Sequence, residues 1–537
     1  MRKKRQQWQA LAGLAILLGL AWFMQASDRS DRSDWSDRSD KLDTANPGEI
    51  SLTLSDCIIQ ALKNNLDIKI EAINPRQSEV SLTLAKEKFL PGFSLNFTKR
   101  STETASYSWL DAATQVNTEY NRYNGVITQL LPLGGNLKVT MDNDKTDTNR
   151  NFQTINPMFS STMRFDLTLP LLKNFGITAN FMEIVVARNN LKISRTRFQT
   201  ILMEIVYNVE EAYWNMVYSI ENLEVQKQSL KLARELLAKN QRLVEIGKLA
   251  PIEIKSAEAE VATREADILQ AGSLVQGSED RLKAIINFNN GDLLGRQRII
   301  PVDQPASEEK MIDLQEAVQT ALQSRPDLME RKIQFRNYEL EVKYARNQML
   351  PEVNLQASYW SPGISGTRIL YKDNDPLSQV IIGTIPGGAS DAVKDAFRFL
   401  YPNWSIGLGL NIPLGSIINR TQLAAAKLGL EQAGLEARSL EQQILLDIKN
   451  AVRSVRTNYK RIQAYRLARE LTEKKLTAEE EKLKVGNSTS YNVFLYQRDL
   501  STAMSNELKA IIDYAISLAY YDKVLGITLK EKKIEYK

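Results

Sequence analysis

The sequence predicts an α+β membrane protein built from two internal repeats, in which strands close a β-barrel and very long helices continue it as a coiled-coil tube. Three observations carry this. Apolar and polar residues alternate strictly over stretches close to the ~10 residues that a tilted membrane-spanning strand needs. Each set of strands is followed by a helix of about 68 residues whose apolar residues recur at 3–4 spacing. The same landmarks also return at one fixed offset, Leu52 to Ile312 and Leu90-Pro91 to Leu350-Pro351.

Composition narrows the chemistry. The chain has 537 residues, 43% of them hydrophobic, which excludes wholesale disorder. A formal charge of +5, with no basic block beyond the N-terminus, leaves no footprint for nucleic acid. There is no histidine and one cysteine, Cys57. Triads that depend on histidine, Cys/His zinc sites and intrachain disulfides are therefore out. The remaining carboxylates lie along helix faces at Lys/Arg spacing, which predicts no catalytic site, no metal and no cofactor.

Residues 1–26 place four cationic residues before an apolar run of about fifteen, the pattern of a signal peptide. No cysteine follows closely, so a lipoprotein modification is not expected. Residues 27–50 include the low-complexity repeat SDRSDRSDWSDRSD, read as a disordered linker. No later stretch offers ~18 uncharged apolar residues, so no transmembrane helix is expected.

The first repeat is assigned to 51–300 and the second to 301–537. LTLSDCIIQALKNNLDI opens one and IDLQEAVQTALQSRPDL the other, each as a helix of roughly 37 residues. Thr53 and Asp313 are the expected N-caps, with Asp56 and Glu316 three positions on. Leu90-Pro91 and Leu350-Pro351 end these helices, because proline disfavours helix in the residue before it.

Strands come next. Phe93, Leu95 and Phe97 alternate with Ser94, Asn96 and Thr98; Met163, Phe165, Leu167 and Leu169 with Arg164, Asp166 and Thr168. In the second repeat Val353, Leu355, Ala357 and Tyr359, then Trp404, Ile406, Leu408 and Leu410, do the same. Tyr359-Trp360, Tyr401 and Trp404 are read as strand-end aromatics of an interface girdle. The first repeat is longer between its prolines. Tyr123–Asp144 reads as an extra hairpin turning at Gly134-Gly135, either an extracellular ornament or two further barrel strands. The insertion Ser361–Arg398 reads as an extracellular loop.

Long helices follow, Thr178–Ile246 and Asn419–Val485, with seams Ile205, Val209, Ala212, Met216, Ser219, Leu223 and Ile448, Val452, Val455, Tyr459, Ile462. Shorter helices, Pro251–Phe288 and Tyr491–Val524, close each repeat. Two short helices stacked end to end match one long one, so a wall of uniform height is expected. Gly247 and Gly486 suit the left-handed position just past a helix end, Pro251 the start of the next helix, and Ser488, Thr489 or Ser490 an N-cap. Four clear strands cannot close a barrel that needs at least eight, so several chains must pool theirs.

In order along the chain, the two LTL-type openings, both Leu-Pro junctions, LPLLKNFG (Leu169–Gly176), IGKLAPIEIKSAEAEVA (Ile246–Ala262), VGNSTSYNVFLYQRDL (Val485–Leu500) and LAYYDKVLGITL (Leu518–Leu529) resemble the TolC-like outer-membrane efflux protein family. The resemblance covers about residues 50–530. It implies a homotrimer with four strands per chain in the outer membrane and a helical tunnel in the periplasm. It implies further partners: outer-membrane lipid, a periplasmic adaptor protein and an inner-membrane pump. The function implied is the exit channel of a tripartite efflux or type I secretion system; a coiled-coil periplasmic adaptor is the alternative. The helix tips (Ile246, Gly247, Leu249; Val485, Gly486, Ser488, Thr489) become adaptor-docking positions. Glu253, Tyr491, Asn492 and Leu495 become a pore constriction, and Pro91, Pro170, Pro351 and Pro413 mark barrel-to-helix junctions. Some relatives carry acidic residues where Asn492 and Leu495 stand here, so a constriction closed by packing and neutral hydrogen bonds is expected.

Overall fold

The computed structural model describes residues 48–106, 111, 114–151, 153–288, 297–378, 380–412 and 415–535. The signal-peptide and linker assignments, apart from residues 48–50, and Pro413 lie outside the described residues. The chain divides into a small unit, Met1–Ile50 with Arg296–Ile300, and a large one, Ser51–Gly295 with Pro301–Lys537. In the small unit the Arg298 amide donates to the Gly48 carbonyl. Strands β1 (Glu49–Leu52) and β6 (Arg298–Pro301) form a two-stranded sheet.

In the large unit the opening helix of each repeat is broken, where the sequence predicted continuity. The first half has α1 (Leu54–Asn64), α2 (Leu66–Glu71) and α3 (Ile73–Glu87); the second has α6 (Leu314–Ser324) and α7 (Pro326–Gln348). The main breaks fall at Asn65 and Arg325, which share the repeat offset. Both take extended ψ values, 130° and 119°. Arg325 precedes Pro326, which excludes helix there. Asn65 caps α2 by accepting from the amides of Asp67 and Ile68. Upstream, Thr53 and Asp56 complete a capping box, whereas Asp313 accepts only from the Gln315 amide.

The breaks serve end-to-end stacking. Asn65 Nδ2 donates to the Ile285 carbonyl at 2.8 Å and Asn287 Nδ2 to the Asn64 carbonyl at 3.0 Å. These close the gap between α1 and α5 (Ile252–Ile286). In the second half Arg325 Nη1 reaches the Val524 carbonyl at 3.3 Å, at the end of α10 (Ser490–Leu525). The long helices are α4 (Ile177–Glu245, 69 residues) and α9 (Ile417–Lys484, 68 residues). Both seams are interior. Ile205, Val209, Ala212, Met216 and Ser219 are buried, as are Ile448, Val452, Val455 and Ile462; Leu223 and Tyr459 are half-buried. Each fully buried aliphatic there contributes roughly 1.5–3 kcal/mol.

The helices pack side by side as a four-helix layer. Near the strands its order is α3, α4, α7, α9, and at the far end α5, α4, α10, α9. Its edges, α3 and α5 on one side and α9 on the other, leave apolar side chains exposed: Val80, Leu84 and Leu269, and Leu428, Leu435 and Leu467.

Among the described residues seven strands form one antiparallel sheet. They are β2 (Gly92–Ala105), β3 (Gln115–Leu130), β4 (Asn136–Thr148), β5 (Ile155–Pro170), β7 (Glu352–Tyr371), the short β8 (Ile381–Ile385) and β9 (Asn403–Asn411). Six are long, in the order β2-β3-β4-β5-β7-β9, and β8 pairs with the far end of β7. The hairpin read from the sequence is thus larger than Tyr123–Asp144 and sits inside the sheet. The ornament alternative is overturned, because β3 and β4 separate β2 from β5. The loop assignment for Ser361–Arg398 is also corrected. β7 continues to Tyr371, and α8 (Ala389–Phe397) follows. Tyr359-Trp360 consequently lie mid-strand in β7, opposite Trp404 and Asn403 at the end of β9.

Candidate pore site: strand wall and helix-hairpin tips

The pairing registers divide the sheet into two chemically distinct faces. One row runs Phe93, Ile127, Val139, Phe165, Tyr359, Trp404 across all six long strands. Above and below it the same face carries Leu95, Met141, Met163, Leu167, Leu355 and Leu408. At the two edges these side chains are bare, with Phe93 at 72% exposure and Trp404 at 71%. A soluble sheet would cover such a face.

The opposite face is polar. Arg122 Nε lies 3.0 Å from Asp144 and 3.6 Å from Asp142, and Asn124 donates to Asp142 at 2.7 Å. Arg164 pairs with Asp166 at 2.8 Å, Ser358 donates to the same carboxylate at 2.6 Å, and the Arg164 guanidinium lies over the Trp360 ring. Ser94, Asn96, Thr98, Ser405 and Asn411 complete the face on the edge strands. Apolar on one side and hydrogen-bonded polar on the other is the sidedness of a wall between lipid and water.

Helix α8 lies on the apolar face at the end distant from the long helices. Its Ala392 and Ala396 are buried, and a Cβ at Gly363 would collide with the Ala392 carbonyl. Phe399 beyond it stacks on Tyr359 at 5.4 Å and Phe165 at 6.2 Å.

At the junctions the segments after Pro170 and around Pro351 meet. The Leu171 amide donates to Val353 O at 2.7 Å, and Lys173 to Pro351 O at 3.3 Å. Asn347, Gln348 and Asn174 interlock through their amides. The β3–β4 turn docks at the same place. The Gly176 amide donates to Leu133 O at 3.1 Å, and Gly134, at φ +94°, lies against Asn174 and Asn180. Pro91 stands apart, exposed before β2.

The two helix tips are built alike. Ile246 and Val485 are C-caps, and Gly247 and Gly486 follow at φ +76° and +80°. The next amides, Lys248 and Asn487, reach back to Leu243 and Lys482 at 2.8 and 2.9 Å. This is a Schellman motif at each tip, which requires the left-handed glycine. Ile246 and Val485 project freely at 63% and 71% exposure; Leu249 is half-buried. Thr489 caps α10 through the Asn492 amide at 3.4 Å. Ser488 donates to Glu479 Oε1 at 2.6 Å, and this hydroxyl, followed by the Lys482 ammonium, holds the carboxyl below its ordinary range. Tyr491 is exposed, while Glu253, Asn492 and Leu495 are half-buried; Asn492 Nδ2 donates to Ser488 Oγ at 3.4 Å.

Two contacts that tie the tips together escaped the sequence reading. Ser490 Oγ donates to the buried Asn240 Oδ1 at 2.8 Å, linking α10 to α4. Arg264 on α5 is buried and donates to Ser229 O at 2.8 Å, Ser229 Oγ at 3.0 Å and Phe494 O at 3.1 Å, with Glu260 beside it. Burial pushes its basicity down, and Glu260 opposes that. Its signal was available: Arg264 continues the apolar stripe Ala257, Val261, Ala271, Val275 of α5.

Comparison with known proteins places these features in context. A family model described as "Outer membrane efflux protein" matches residues 57–287 and 317–526. The "Probable outer membrane lipoprotein SilC" of Salmonella typhimurium is 26% identical over 208 residues, 36% of this chain; the alignment spans only 41% of that relative's length. Among solved structures, the CmeC outer membrane channel of Campylobacter jejuni superposes with a TM-score of 0.60 at 16% identity, covering 90% of this chain and 89% of the other. The outer membrane protein VceC of Vibrio cholerae gives 0.59 at 15%, covering 88% and 96%. The open-state MtrE channel of Neisseria gonorrhoeae gives 0.58 at 18%, covering 89% of each chain. At these identities the superpositions establish the fold.

Proposed function

The chain belongs to the outer membrane efflux protein family, and from that premise we propose that three copies close one conduit, the outer-membrane exit channel of an efflux or type I secretion system. The observation that carries this is the pairing of two open-edged layers in one chain. The sheet ends at β2 and β9, the helix layer at α3/α5 and α9, and each edge carries exposed apolar side chains. An isolated open sheet cannot sit in lipid, because its edge amides and carbonyls have no partner there. With six long strands, β2 runs away from the helices and β9 returns, so β2 of one copy meets β9 of the next antiparallel. A ring closes by that contact repeated, with the edge helices meeting below it.

The apolar face then meets lipid and the polar face lines the lumen. The helices extend into the periplasm, and the tips form its mouth. Ile246 and Val485, exposed beside matched glycine turns, suit contact with a periplasmic adaptor, together with Leu249, Ser488 and Thr489. Glu253, Tyr491, Asn492 and Leu495 narrow the opening, with no acidic ring at Asn492 or Leu495. The pump and cargo are named by their class alone: an inner-membrane transporter delivers, and this chain conducts.

Cross-linking in native outer membranes tests the proposal. Extraction should need detergent, and the cross-linked species should contain three chains. A detergent-independent monomer would instead fit a periplasmic adaptor.

A further inference from the structure

The β3–β4 hairpin changes the dimensions of such a barrel. The family resemblance implies four strands per copy; this chain has six long ones among its described residues. The hairpin keeps both faces in phase. Ile127, Val139 and Met141 extend the apolar row, while Arg122, Asn124, Lys138, Asp142 and Asp144 extend the polar one. Its tight turn is at the helix end of the sheet, pinned by the Gly176–Leu133 hydrogen bond and packed on Asn180. A strand pair hydrogen-bonded on both sides, sided like its neighbours and anchored at the inner rim is wall, not ornament.

Widths agree. Strands ~4.8 Å apart and tilted ~40° occupy about 38 Å of circumference for six, but about 25 Å for four. Four helices packed side by side at ~9–10 Å occupy about 36–40 Å. With the hairpin, the strand wall of one copy matches its own helix wall.

Resting on the three-copy reading above, we propose that this protein forms a barrel of about eighteen strands, with a lumen about one and a half times the width of a twelve-stranded one. The added wall brings the Arg122–Asp142–Asp144 cluster into that lumen. The outer duct therefore accepts bulkier hydrated cargo than a four-strand chain would pass.

Single cysteines in a Cys57→Ser background, in the intact chain, test the wall directly. Ile127→Cys, Val139→Cys and Met141→Cys should resist a water-soluble maleimide and react with a lipid-soluble one. Asn124→Cys and Asp142→Cys should label with the maleimide. Uniform labelling of both sets overturns the proposal, because a hairpin outside the wall is wet on both sides. A variant lacking residues 107–152 would leave β2 to pair with β5 antiparallel and in face register. Polymer exclusion from the outer side should show its cut-off radius fall to about two-thirds that of the intact chain; an unchanged cut-off also overturns the proposal. Three-chain cross-linking of the intact protein is scored separately, so loss of the trimer refutes the earlier reading and not the placement of the hairpin.

Discussion

Arg264→Met removes a guanidinium that joins three helices near the tips, and its effect can be worked from the structure. The side chain is 4% exposed and makes three hydrogen bonds outside its own helix, to Ser229 O, Ser229 Oγ and Phe494 O. Hydrogen bonds to a charged group contribute about 1.5–3 kcal/mol each, and their losses do not add fully. Methionine retains the apolar stem against Phe494 but gives up these three bonds and leaves Glu260 without its cation; the two carbonyls keep their intrahelical amides. The net loss expected is about 3–5 kcal/mol. It falls on the start of α10, where Phe494 sits two residues beyond Asn492. Hydrogen exchange is the assay: amide protection over Tyr491–Gln497 should drop by a factor on the order of 10²–10³, a loss of about 3–4 kcal/mol. Amides around Ile448–Val455, in the core farther along the long helix, should hold. Unchanged protection in α10, or an equal drop in both regions, would refute the idea that Arg264 fastens the mouth locally.

Other outcomes follow from particular contacts. Gly486→Ala should cost about 1–2 kcal/mol at the tip, because a Cβ there meets no neighbour yet the +80° φ is strained; Gly486→Asn, read by the same exchange measurement, should cost less. Lys532→Met removes the cation facing buried Glu210, whose carboxyl is already pushed up by burial and has one oxygen without a partner. A raised folded pKa means stability is lost as pH climbs above the ordinary value of 4.5, so the unfolding free energy from denaturant titration should match the native protein near pH 4 and fall below it by about 1–3 kcal/mol at neutral pH, one carboxyl losing no more than about 1.4 kcal/mol per pH unit. Parallel curves at both pH values would show that the pair is not coupled to folding. Asn492→Asp places a carboxylate at each copy's mouth; single-channel current should acquire a block by multivalent cations that the native protein lacks.

Much of this fold is legible in the sequence because its signals are long and periodic. The seams of α4 and α9, the alternating strands and the Gly247 and Gly486 turns each follow from a pattern repeated many times or from a residue with one conformational use. What was missed depends on pairing across distance. The break at Arg325 was readable from Pro326, but the break at Asn65 gains its purpose from Ile285, far away in the chain. The hairpin was visible at Gly134-Gly135, yet its place in the wall depends on hydrogen bonding to β2 and β5, which no local pattern encodes. Arg264 is not singled out by any local motif; its role emerges only when its position in the apolar stripe is matched with Ser229 and Phe494.

The most direct test is current through the purified assembly in a planar bilayer. Discrete conductance steps are expected, each from one three-copy assembly, with a larger step for Arg264→Met as the tips loosen. An intact trimer that inserts into the bilayer but carries no current in either form would contradict the claim that this chain is a conduit.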